Sequence, residues 1–142
     1  MNIGELLVNV ITVLLFYFFI SRTFTLRRLH WICRGIGLML LFVLITLLNL
    51  MNIAPTITCV SGLICQILYT MVFAEGSRGA RLLIGGIPAW LAVVSDSVTF
   101  SVLGILFQDT SEALTVNSAI RSQALVIYIL TYCLLIWAVI QF

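Results

Sequence analysis

The sequence predicts an all-α polytopic membrane protein, a bundle of five transmembrane helices with the N-terminus out and the C-terminus in. Three observations predict it. The chain is 63% hydrophobic and 8% charged, with a mean hydropathy of +1.24, far from the roughly 25% charged residues of an average soluble domain. Its apolar residues come in continuous runs of helical length, not in the period-2 alternation of a barrel strand. The basic residues, all arginine, concentrate in two connections: Arg22, Arg27, Arg28 and Arg34 in one, Arg78 and Arg81 in the other. The positive-inside rule makes these six the topology-setting residues of the cytoplasmic side, with only Arg121 opposite. At 142 residues the chain reads as a single transmembrane domain.

The first span covers about residues 4–20. A cleaved signal peptide carries positive charge before its apolar run, whereas Met1-Asn2-Ile3-Gly4-Glu5 carries an acid and no base, so this segment reads as a retained helix. The second span covers about 36–51 and the third about 56–73. Between them, Asn49, Asn52 and Pro55 suit a tight turn, with Pro55 in the first turn of the next helix. The fourth span, about 82–107, exceeds the ~20 residues that a bilayer needs, so it should tilt, bend at Pro88 or project past the outer face. A polar outer connection, Gln108 to Arg121, leads into the fifth span, about 122–141.

Several chemistries are excluded by what the chain lacks. Cys33, Cys59, Cys65 and Cys133 form no Cys-x-x-Cys pair, so they encode neither a zinc site nor a disulfide framework and read as small apolar filling. His30 is the sole histidine and lies in Arg27-Arg28-Leu29-His30-Trp31, a membrane-interface belt and not a metal cluster or a catalytic triad. Gly76, Gly79, Gly85 and Gly86 do not fit a phosphate-binding loop, and lysine is absent. Gly62 and the Gly35/Gly37 pair read as close-packing points. No cofactor or metal is expected, and a formal charge of +2 is too small to suggest a nucleic-acid partner.

Asp96 is the sharpest feature. It sits about midway along the fourth span, in Ser95-Asp96-Ser97-Val98-Thr99, where an ionised carboxylate costs roughly 2.5–3.5 kcal/mol on insertion scales. Gly85, Ala89, Ala92, Asp96, Thr99 and Leu103 share one helical face, whose small members let another helix approach closely. Two roles fit this placement: a polar switch or a proton or cation site, or a neutral carboxyl bonded to Ser, Thr or Gln side chains such as Gln66 on a neighbouring helix. Asp96, Thr99 and Gln66 are therefore the candidate signalling or polar bundle residues. Glu5, Asn9 and Thr12 form a second polar stripe, which lines a pathway or packs internally.

From Tyr69 onward the chain resembles the membrane sensor region of GHKL-type bacterial histidine kinases, the group that includes peptide-pheromone receptors. The resemblance rests on a third helix ending in Tyr69 and Phe73, on the turn Phe73-Ala74-Glu75-Gly76-Ser77-Arg78-Gly79-Ala80-Arg81, on the mid-helix acid Asp96, and on Arg121 leading into the last helix. It extends over nearly the whole chain in topology and over about 50 residues in motif. It implies a multi-pass protein of the bacterial plasma membrane that senses a small peptide or other extracellular ligand or a membrane state, that forms a homodimer, and that passes the signal inward. The family's phosphoacceptor helix and ATP-binding domain find no counterpart in these residues, His30 does not match the phosphoacceptor position, and arginine stands where the family often has lysine. These residues are accordingly not expected to be an enzyme. Two other readings compete: a small transporter or transport-complex subunit using Asp96, and an accessory or immunity protein whose bundle binds another membrane protein.

Overall fold

The computed structural model describes residues 3–27, 31–50, 55–106 and 118–141, and every regular element among them is an α-helix. These are α1 (Ile3–Thr23), α2 (Trp31–Leu50), α3 (Pro55–Phe73), α4 (Arg78–Gly85), α5 (Ile87–Leu106) and α6 (Ser118–Gln141). Four stretches are long and apolar enough to cross a membrane: α1, α2, the 29 residues Arg78–Leu106, and Ser122–Gln141 within α6. In α3 the apolar stretch is shorter, Ile57–Phe73.

Local chemistry accounts for the helix ends. Glu5 in the first turn of α1 and Arg22 in its last turn each match the sign of the helix dipole. Pro55 opens α3 as expected, because its fixed φ and missing N–H cost nothing in a first turn. Ser77 caps α4, its hydroxyl accepting from the Ala80 amide at 3.3 Å. Of the three ways offered for the overlong fourth span, tilt, a bend at Pro88 or projection, the structure shows a division at Gly86, between α4 and α5. Pro88 has no N–H for the carbonyl of Ile84, one turn back, and its ring crowds that carbonyl.

The helices run further than the apolar runs that announced them. The first continues to Thr23, the second begins at Trp31, the fourth stretch begins at Arg78 and the last at Ser118. Arg22, Arg34, Arg78, Arg81 and Arg121 therefore lie inside helices, not in connections. Arginine is a good helix former whose long stem keeps its charge near the interface, so hydropathy falls off before the helix does. Arg28 and His30, the asparagine-containing turn after Leu50 and most of the connection from Gln108 to Arg121 lie outside the described residues.

The helices close into a ring. α1 packs on α2 and α6, α2 on α3, α3 on α4 and α5, and α5 on α6. Phe16, Phe19 and Ile20 of α1, Leu41 of α2, Tyr69 of α3, and Tyr132 and Ile136 of α6 form the buried core. They fill the half of the ring toward the α1–α2 and α3–α4 connections. Aromatic rings knit this plug: Phe16 meets Tyr69 edge-on at 5.4 Å, and Tyr69 lies against Phe73 at 4.6 Å. Gly37 allows that approach, since a Cβ there would lie 2.8 Å from the Phe73 ring. The other expected packing points differ, with nothing within 4 Å of such an atom at Gly35 or Gly62.

The two connections at this end hold each other. Leu26 and Ala74 form an antiparallel bridge, with the Arg27 amide donating to the Phe73 carbonyl at 2.9 Å and the Glu75 amide to the Thr25 carbonyl at 2.8 Å. Gly76 then turns the chain into α4 at φ 139°, a conformation that side chains disfavour. Arg81 is buried, and its guanidinium donates to the Met71 carbonyl at 2.7 Å and the Ala74 carbonyl at 3.4 Å. It thus serves the open carbonyls at the end of α3, while Arg22, Arg27 and Arg78 stay exposed and Arg34 is half-buried.

Candidate functional site

Beyond the plug, toward the N-terminal end of α1, the helices line a cavity of about 660 Å³, within the roughly 300–1,000 Å³ of small-molecule sites. All five long helices line it: α1 through Val8, Asn9 and Thr12, α2 through Ile45, Leu48 and Asn49, α3 from Thr58 to Gln66, α5 from Ala89 to Leu103, and α6 through Ala124, Leu125 and Tyr128. Because neighbouring helices alternate in direction, these positions gather in one half of the bundle. Gln66 and Ala89 reach nearest the middle.

The predicted small-residue face of α5 is the face that meets this space. Ala89, Ala92, Asp96, Thr99 and Leu103 all line the cavity. Gly85, one turn below, is buried against Thr70. Asp96 is exposed on the wall, in electrostatic range of the Cys59 thiol on α3 and the Tyr128 hydroxyl on α6. The hydroxyls around it are turned away: Ser95, Ser97, Thr99 and Ser101 each donate to the carbonyl four residues back, at 2.8–3.0 Å. A hydroxyl in an apolar setting satisfies itself this way within its own helix. The structure therefore brings Asp96, Thr99 and Gln66 to one cavity, while no hydrogen bond joins them among the described residues.

A polar belt continues around the wall. The Asn49 amide donates to Asn9 Oδ1 at 3.0 Å, and the Asn9 amide faces Thr46 Oγ1 at 3.4 Å, tying α1 to α2. Thr12, one turn on from Asn9, meets the side chain of Tyr128. Of the stripe Glu5, Asn9 and Thr12, the last two thus face the cavity. Gln66 is buried, 4% exposed, and its Oε1 has no hydrogen-bond partner. An orphaned acceptor of this kind is costly in a bilayer.

Sequence reasoning did not find Asn49, Tyr128 or Cys59 as members of this site. Asn49 resembles a turn residue, Tyr128 sits in an apolar run, and Cys59 reads as filling. Their common trait is a polar group at a helical position in the half of the bundle nearer the N-terminal end of α1, a pattern that becomes informative once the helices are in order. Among the described residues no cluster of metal-ligating groups occurs, and the cysteines are free, Cys33 and Cys59 exposed. Comparison with protein families, with curated proteins and with solved structures returns no match.

Proposed function

We propose that the chain is a membrane signal-input module that takes a small ligand into this cavity and relays its presence through α6 to a cytoplasmic output. The observation that carries the reading is a cavity of about 660 Å³ bounded on one side by an aromatic plug. A cavity with a packed aromatic layer on one side suits a receptor better than a conduit. The arginine distribution supports placing the plugged end in the cytoplasm and the cavity toward the outside.

α6 supports the relay. Tyr128 lines the cavity, Tyr132 stacks on it at 5.9 Å between ring centres, and Tyr132 and Ile136 are fully buried in the plug. A ligand that displaces Tyr128 moves one side of a packed helix whose other end leaves the membrane at the arginine-rich side. Such a switch needs two packings with unequal ligand affinity, and Asp96 is the polar contact proposed to differ between them. The assignment of the output to a histidine kinase in a bacterial plasma membrane rests on the resemblance of Phe73 to Arg81, Asp96 and Arg121 to GHKL-type sensors.

The test is a chimera with a kinase joined after Phe142. Asp96→Asn should leave membrane insertion intact and shift the dose response of kinase output. An unchanged dose response would remove Asp96 from the mechanism.

A further inference from the structure

At the plugged end, Arg22, Arg27, Arg34, Arg78 and Arg81 share the described surface with one described carboxylate, Glu75, which is exposed and accepts from the Thr25 hydroxyl at 3.5 Å. Arg81 is engaged by the carbonyls of Met71 and Ala74, and Arg22 lies over the Phe18 ring at 5.5 Å. Arg34 is placed differently: it is half-buried in α2, and its Nε is buried without a hydrogen-bond partner. We infer that the Arg34 guanidinium binds the phosphate of a phospholipid of net negative charge at the edge of α2. The inference is independent of what occupies the cavity and rests on α2 crossing a bilayer.

Three observations lead there. Tyr69 of α3 is in electrostatic range of Arg34, but its hydroxyl is itself buried without a partner, so it does not serve the guanidinium. The first turn of α2 holds no acid, and the dipole of a helix is positive at that end, so the helix adds to the charge of Arg34 instead of offsetting it. The acceptor must then come from outside the bundle, where α2 presents apolar surface: Trp31, one turn before Arg34, is 73% exposed, and Ile32 and Ile36 are exposed beside it. Tryptophan and arginine together mark head-group depth, and a phosphate offers the planar guanidinium two charged acceptors at once.

The same oxyanion occurs on lipid head groups and free in solution, and the experiment separates these sources. The full chain is given Trp31 as its sole tryptophan by Trp90→Phe and Trp137→Phe, both at exposed positions. It is placed in liposomes of phosphatidylcholine and phosphatidylglycerol, one or the other with brominated acyl chains, which quench an indole they touch. An affinity for phosphatidylglycerol beside Trp31 about fivefold above that for phosphatidylcholine is expected, the scale of one arginine meeting an anionic head group. Arg34→Gln should abolish that preference while brominated phosphatidylcholine quenches as before, the sign that the variant has inserted. Arg34→Lys should keep part of it, and Arg78→Gln, at an exposed arginine of the same end, should leave it unchanged. Equal affinity for the two lipids, or a preference that Arg78→Gln removes as fully as Arg34→Gln, would overturn the assignment. Loss of the preference on adding inorganic phosphate, but not sodium chloride at the same ionic strength, would overturn the lipid in favour of a soluble phosphate. Quenching by neither lipid would overturn the placement of α2 in a bilayer as well.

Discussion

Gly85 backs onto Thr70 so closely that a Cβ on Gly85 would lie 2.8 Å from Thr70 Oγ1 and 2.9 Å from Thr70 Cβ. The second atom is fixed to the backbone, so rotating the hydroxyl away does not relieve the contact. This is where α4 meets α3, immediately before the helix divides at Gly86 and below the cavity floor. The small residue at 85 therefore sets how near α5 stands to α3 and, through it, the width of the site.

Gly85→Ala is expected to destabilise the folded bundle by about 1–3 kcal/mol, the usual scale of overpacking. Thr70→Gly in the same chain should recover part of the loss, because the two positions share one contact. Unfolding in mixed micelles for the two single variants and the double variant measures the coupling. Additive losses would show that the contact does not limit the approach of α4 to α3.

Arg81→Met should open the end of α3. Its guanidinium serves the carbonyls of Met71 and Ala74 from a buried position, and losing a charged hydrogen bond of this kind costs about 1.5–3 kcal/mol. Hydrogen exchange should rise at the amides of Ala74 and Glu75, which are bonded to Thr70 and Thr25. Arg81→Lys should recover only part of the protection, since a single ammonium cannot reproduce the planar fork.

Asn9 and Asn49 should be energetically coupled. Their 3.0 Å hydrogen bond joins α1 to α2 in a region away from the plug. A cycle of Asn9→Ala, Asn49→Ala and the double variant should give about 0.6 kcal/mol, the average for polar pairs between membrane helices, and no more than about 1.7 kcal/mol. A coupling near zero would mean that each asparagine finds an equivalent partner without the other.

Cysteine labelling tests the arrangement of the ends. Cys33 lies in the first turn of α2 and Cys59 in the first part of α3, at opposite ends of the ring, and both are exposed. In oriented proteoliposomes holding single-cysteine chains, an impermeant thiosulfonate reagent should modify Cys59 only from the side of the N-terminus and Cys33 only from the other. Modification of both from one side would contradict this order of spans.

The sequence by itself determined that these residues form apolar helices and that Pro55 begins one, and it offered a bend at Pro88 as one way for the overlong fourth span to fit, because each depends on hydropathy and backbone geometry within a few neighbouring residues. It also marked Asp96 and its small-residue face, since an acid in mid-span and a stripe of Ala, Thr and Leu at helical spacing are local patterns. Only the tertiary structure decided that Arg81 turns inward to the end of α3, that Asn49 bonds Asn9, and that Tyr128 and Cys59 stand across a cavity from Asp96. Those facts follow from the cyclic order of the helices and the rotation of each about its axis. Both are set by contacts between residues far apart in the chain, where one span's hydropathy carries no information about the face its neighbour presents.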